Sequence, residues 1–246
     1  MPMLINYDGI LKYVIVRHKT ITLLGTSHIA KDSVASINAA CAENPTIIAV
    51  ELDAARLYAL EHKLDAKPRL AHIKTLGLGG FLFATFGRYL QKKLGNIAGL
   101  APGSDMLTAA RFAKQNSKEL VLLDKPIEET LRAISHVSLL EKAKLAKDVL
   151  FGMVFKQGPV RSIDLSKVPD DALVAELLVV FRKRYPGLGK ALLDDRNKHM
   201  ARTLHQLMHT RPGCTLLAVV GAGHVISLLH ELKTLDRRRD YVHRQA

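Results

Sequence analysis

The sequence predicts an α/β fold: a mostly parallel central sheet flanked by helices, with a helical subdomain inserted between sheet strands. Three observations predict it. Four short aliphatic runs, at 21–24, 46–50, 119–123 and 215–220, alternate with stretches of helical periodicity, the pattern that builds parallel sheets. Each run leads into a polar residue with usable chemistry, namely His28, Glu51, Asp124 and His224. Carboxyl ends of parallel strands meet at one edge, so these four can converge on one crevice. Finally, an aliphatic run breaks at Gly-x-x-His twice, as Gly25-Thr-Ser-His28 and Gly221-Ala-Gly-His224.

Residues 11–16 and 21–24 flank His18-Lys19-Thr20 and read as a hairpin feeding the first buried strand. After His28, Asp32 or Ser33 is placed to cap a helix carrying Val34, Ile37, Ala40 and Cys41 at helical spacing, ending near Asn44-Pro45. Residues 46–50 form a second strand that ends on Glu51. Asp53 then opens a helix through Ala55, Leu57, Leu60 and Glu61. Ser104, after Pro102-Gly103, begins a capped helix, and the strand at 119–123 follows it and finishes on Asp124. From 127 to 209 the pattern is mostly helical, broken at Gly158-Pro159 and Pro186-Gly187, and a helical subdomain is expected at about 137–210. The last strand, 215–220, leads to Gly221, His224 and a helix marked by Val225, Leu228, Leu229 and Leu232. No fixed-period repeat is evident, and residues 1–246 read as a single domain.

At 246 residues and 48% hydrophobic content, the chain can bury a sizeable core. Its start lacks a basic and then apolar leader, which points to a cytoplasmic location. Cys41 and Cys214 suit a reducing compartment, and neither a disulfide nor thiol chemistry is expected. A formal charge of +13 favours acidic partners or an anionic membrane surface. The basic clusters Arg182-Lys-Arg184 and Arg237-Arg-Arg239 lack aromatic interleaving and zinc-finger spacing, which argues against nucleic acid. Within the segment 65–100, residues 75–87 are uncharged and include Phe81 and Phe83. They are too few to span a bilayer. The favoured reading is a core or subunit interface of a homo-oligomer, and the sharper one is a peripheral membrane contact rimmed by Arg88, Lys92 and Lys93.

Imidazole nitrogens and carboxylate oxygens suit zinc, manganese, iron or cobalt, and an incomplete protein shell leaves room for a water that the ion acidifies. His28, Glu51 and His224 are the candidate metal ligands. Gly25 and Gly221 would let the backbone turn sharply off each strand, and Gly223 would take a left-handed or crowded conformation beside His224. A lone Gly-x-x-His is a common chance pattern, and an acid at a strand-to-helix junction is often only a helix N-terminal charge. Glu51 ranks above Asp124 for chemistry. Arg196, in Asp195-Arg196-Asn197, could bind a substrate carboxylate or a tetrahedral oxyanion, or could simply pair with Asp194 or Asp195 on the surface. His199, His205 and His209 are read as solvated, since only the last two share a helix face and the Glu of H-E-x-x-H is missing.

These segments together resemble the TraB/PrgY (pheromone shutdown) family, related to the Tiki proteases and more distantly to erythromycin esterases and haem-binding ChaN-like proteins. The resemblance is carried by Gly25-Thr-Ser-His28, Val50-Glu-Leu-Asp53 with Arg56, and Pro102-Gly-Ser-Asp-Met106. It continues in Leu123-Asp-Lys-Pro-Ile127 with Thr130 and Arg132, Asp195-Arg-Asn-Lys-His-Met-Ala201, and Val219-Val-Gly-Ala-Gly-His224. It implies a divalent metal hydrolase site, with manganese, cobalt or zinc held by His28 and His224. Glu51 would then be a ligand or general base and Arg196 the electrophilic group. Gly25, Asp124, Asp195 and Gly221 complete the candidate site. The family tends to have Asp-Arg-Asp where this chain has Asp124-Lys125-Pro126, and Glu-Arg-Asp where it has Asp195-Arg196-Asn197. Two functions follow from the resemblance. One is a metal-dependent hydrolase of peptide or amide bonds acting on a peptide or small-molecule substrate. The other is a non-catalytic protein that sequesters a peptide or cofactor in the same crevice. Family members often continue into C-terminal membrane helices.

Overall fold

Period-two alternation in the aliphatic runs decides which side chain faces which layer, and the sheet follows from it. A computed structural model describes residues 14–26, 31–64, 103–150 and 171–245. Five strands, β1 (Val14–His18), β2 (Ile21–Thr26), β3 (Ile47–Val50), β4 (Glu119–Leu122) and β5 (Leu216–Gly221), form one sheet in the order β1-β2-β5-β3-β4. β1 pairs antiparallel with β2, and every other pairing is parallel. The chain is α/β, as the alternation predicts. The last strand in sequence is inserted between β2 and β3, so β5 is central and all six of its residues are buried.

Helices cover both faces. Leu216, Ala218 and Val220 point to one side, where they meet Met200, Ala201 and Leu204 of α8 (Asp195–Thr210) and Val225, Leu228 and Leu232 of α9 (Ala222–Gln245). Leu217 and Val219 point to the other. There they pack with Ile37 and Cys41 of α1 (Lys31–Ala42), Leu57 of α2 (Ala54–Glu61) and Met106, Ala109 and Ala113 of α3 (Ser104–Gln115). Each large aliphatic side chain sealed this way contributes about 1.5–3 kcal/mol. The alanines of α3 let that helix approach the sheet closely.

The helices between β4 and β5 have a small core of their own. Ile134 of α4 (Ile127–Ser135) meets Tyr185, Leu188 and Ala191, with α5 (Leu139–Leu150) and α6 (Asp171–Arg184) alongside. The break expected at Pro186-Gly187 is present: α6 ends at Arg184, and Tyr185 leaves the helical conformation with φ −134° and ψ 70°. Pro186 starts the short helix α7 (Pro186–Gly189), because the first helical position needs no N–H donor. A π-helical turn (Lys190–Asp194) leads directly into α8. The stretch Asp195–Thr210 of the expected insertion packs on the sheet itself.

Several local expectations change. Asp32 and Ser33 lie within α1 rather than before it. The cap of α3 is Gly103 at φ 84°, a left-handed backbone, and Ser104 is already helical. Gly25 and Gly221 stay in strand pairing, and Gly223 is helical, so none makes the sharp or left-handed turn expected. Cys41 is buried and free, and burial pushes its thiol up to about 11, while Cys214 is half-buried and free. Among the described residues, no helix is long and apolar enough to cross a membrane. The apolar segment 65–100, Gly158-Pro159 and His28 lie outside the described residues.

Candidate functional site

The insertion of β5 between β2 and β3 sets the site, because it brings the ends of three strands side by side. Thr26 of β2 pairs with Gly221 of β5, and Val50 of β3 pairs with Val219. The pairing continues past the strand ends. The Glu51 N–H donates to Val219 O (3.1 Å), Leu123 N–H to Val50 O (2.9 Å) and Asp124 N–H to Leu52 O (3.2 Å). Glu51 and Asp124 are therefore placed by backbone hydrogen bonds at the carboxyl edge. His224 stands beside them in the first turn of α9, and Arg196 reaches them from the first turn of α8.

Four of the predicted residues form one buried cluster. His224 Nε2 lies 3.2 Å from Glu51 Oε1. Arg196 Nη2 bonds both Glu51 Oε1 and Asp124 Oδ2, the latter at 2.6 Å, and its Nε lies 3.0–3.1 Å from both Asp124 oxygens. The Arg196 side chain is 15% exposed, Glu51 5% and Asp124 2%, so these charges meet away from bulk water. Burial opposes the charge on Arg196, but the Glu51 and Asp124 carboxylates outweigh it and hold the guanidinium above its ordinary pKa. Arg196 thus pairs with Asp124 and Glu51, not with Asp194 or Asp195. Asp194 instead takes Arg182 at 2.9 Å, and Asp195 lies half-buried with the Lys190 ammonium at 3.9 Å.

Gly221 has a different role from the one expected. Its backbone N–H donates to Glu51 Oε2 at 2.7 Å, holding that oxygen while Oε1 faces His224 and Arg196. Gly25 supplies strand pairing next to Val220. Asp124, ranked below Glu51 from the sequence, carries the bidentate pairing that aims Arg196.

Other residues join the cluster that sequence reasoning did not select as site residues. His224 Nδ1 faces Asn197 Oδ1 at 2.7 Å, and an amide oxygen there can only accept, so Nδ1 is the donor of that bond while Nε2 faces Glu51. Asn197 is 1% exposed, and its Nδ2 has no hydrogen-bond partner among the described residues. Arg56 bonds Asp53 Oδ2 at 2.7 Å and also Asp124 Oδ2, the same oxygen that Arg196 Nη2 bonds. Thr26 donates its hydroxyl to buried Asp105 Oδ2 at 2.5 Å, which fastens the backbone just before His28. Asn197 could have been suspected from its place beside Arg196, but only the facing helix reveals the imidazole it serves. Among the described residues, the carboxylates of Asp53, Glu51 and Asp124 are met here by the guanidiniums of Arg56 and Arg196.

Comparison with known proteins places these residues in a family. The model of the TraB/PrgY/gumN family matches residues 13–238. An uncharacterized protein of Methanocaldococcus jannaschii is 32% identical over 238 residues, which is 89% of this chain and 55% of that relative. The chain therefore spans about half the length of the relative it matches.

Proposed function

The chain belongs to the TraB/PrgY/gumN family, and from that premise we propose that it is a metal-dependent hydrolase of peptide or related amide bonds, acting at the Glu51, Arg196 and His224 cluster. The observation that supports this best is the position of Glu51. Its carboxylate is buried between an imidazole, a guanidinium and a backbone N–H at the edge where parallel strands end.

The residues present fit a divalent cation: Asn197 accepts from His224 Nδ1, which leaves Nε2 as the nitrogen for an ion, and the Glu51 carboxylate stands 3.2 Å from that nitrogen. His224 would hold the ion with His28, which the sequence offers as the matching donor, and Glu51 borders it. Bound there, manganese, cobalt or zinc would polarise a scissile carbonyl and acidify water. Glu51 Oε1 is the acceptor for the proton of the attacking water, while the Gly221 N–H keeps the other oxygen occupied. Arg196 bonds the same Glu51 oxygen, Oε1. Its Nη1 has the longest contacts, 3.3 Å to Leu192 O and 3.4 Å to His224 Nε2, so that N–H is the one that can turn to a developing oxyanion.

One observation favours a second reading, in which the same crevice binds a peptide or cofactor without turnover. Asp124 and Glu51 engage Nε and Nη2 of Arg196 closely, as a structural clamp would. Elemental analysis of the untagged protein separates the ideas. The hydrolase reading expects about one transition metal per chain at this site, lost in His28→Ala and in His224→Ala with the circular dichroism unchanged. Equal metal content in wild type and both variants defeats it, and metal or peptide binding with no cleavage of a peptide library establishes the second reading instead.

A further inference from the structure

A second group of donors lies at the far ends of the same two helices. His205 and His209 share one face of α8, and Asp236 of α9 stands against them. From Arg196 to His209 the helical rise is about 20 Å, so this group is remote from Glu51 and His224. The two histidines are not solvated as the sequence suggested. Their side chains are 17% and 26% exposed, and Asp236 is 11% exposed.

The spacing is that of a coordination shell. His205 Nε2 and His209 Nε2 lie 3.1 Å apart, Asp236 Oδ1 is 3.3 Å from the first and 3.8 Å from the second. For metal bonds near 2.0–2.2 Å at tetrahedral angles, adjacent ligand atoms stand about 3.3 Å apart. Two imidazole nitrogens this close repel as lone pairs unless a proton or a cation lies between them, and one cation would satisfy both together with Asp236 Oδ1. The carboxylate is already aimed, because His18 at the end of β1 bonds its other oxygen, Oδ2, at 2.8 Å. Such support from behind is how ligating carboxylates are fixed. The Lys19 ammonium now sits 2.9 Å from Oδ1, on a side chain 48% exposed and able to swing into water.

We propose that His205, His209 and Asp236 form a binding site for a divalent transition cation of the zinc or cobalt class, separate from the Glu51 site, with His18 positioning the carboxylate and Lys19 as the competing cation. Two imidazoles with one carboxylate select such borderline ions over magnesium or calcium, which take oxygen ligands. The ion would tie α8, α9 and the β1–β2 hairpin together at the end opposite the candidate active site. It would thereby brace the two helices whose first turns carry Arg196 and His224.

The test is a Co2+ titration of the metal-stripped full chain carrying His224→Ala, which removes a donor of the other site, read by visible d–d absorption and equilibrium dialysis. One bound equivalent is expected, weakened at least about 100-fold by His209→Gln or by Asp236→Asn. Lys19→Gln should tighten it about 10-fold by removing the competing charge. A thermal shift of about 5 °C on adding Zn2+, absent in His209→Gln, would accompany binding. If His224→Ala does not fold, wild type is compared with His205→Gln and His209→Gln, each of which should lose one equivalent. Co2+ stoichiometry unchanged in these variants, or binding that is indifferent to Lys19, would overturn the site, as would absence of any Co2+ uptake in the His224→Ala chain.

Discussion

Replacing Arg196 by Met keeps an unbranched apolar stem and removes the charge on which two buried carboxylates depend. Glu51 and Asp124 are 5% and 2% exposed, and Arg196 meets both. Removing one partner of a buried ion pair costs about 3–5 kcal/mol, because the remaining charge stays out of water uncompensated. Here the loss should fall at the lower end, about 3 kcal/mol. Asp124 retains Arg56 and the Lys125 N–H at 2.9 Å, and Glu51 retains the Gly221 N–H. The double variant Glu51→Gln with Arg196→Met should recover part of that loss, since it also removes the stranded charge. Arg196→Lys should fall between, keeping the charge while losing the planar fork that grips Asp124. Urea unfolding followed by circular dichroism, with slopes compared to confirm a common transition, measures all three. A single variant within about 1 kcal/mol of wild type, or a double variant less stable than the single, would refute the clamp.

Asn197→Leu removes the acceptor to which His224 Nδ1 donates, and transition-metal affinity at that site should fall about 10–100-fold with the fold intact, while Asn197→Asp retains it. Calorimetric titration checks this. In the helical insertion, the Tyr185 hydroxyl and Arg184 both bond Asp148 Oδ2 at 2.5 Å. The Tyr185 hydrogen bond, outweighing burial together with Arg184, holds the Asp148 carboxyl below its ordinary value of 3.8. A depressed folded pKa gives stability that is complete above the unfolded value and lost as pH falls through the folded one, so Asp148→Asn should flatten the acid limb of the stability curve. Burial first, and Asp148 next, push Tyr185 from 10.0 up to about 12. A raised folded pKa means stability present below pH 10.0 and lost as pH rises towards about 12, a loss that Tyr185→Phe should abolish in unfolding midpoints measured across that range.

What the sequence made legible follows physical reach. Short aliphatic runs ending in Glu51, Asp124 and His224 announce themselves, because burial on both faces demands apolar continuity and the strand end restores polarity. The strand order does not, since nothing local tells β5 to enter between β2 and β3. Asp124 looked like a helix-terminal charge because its partner, Arg196, is far along the chain. Asn197 looked like a lost carboxylate beside the family pattern, yet its amide oxygen serves the His224 ring. His205 and His209 looked solvated because the acid that completes them, Asp236, is carried by a different helix. Gly221 was expected for its conformational freedom and proves to matter for its N–H. In each case the missing information was a contact between elements distant in sequence.

The most direct measurement is cleavage of a peptide library by the metal-loaded wild-type chain beside the Glu51→Gln variant, with metal content determined on the same samples. Wild type is expected to cleave, and the variant to retain the ion with turnover lowered at least about 100-fold. Equal cleavage by both proteins would contradict it, as would metal-loaded wild type that cleaves nothing.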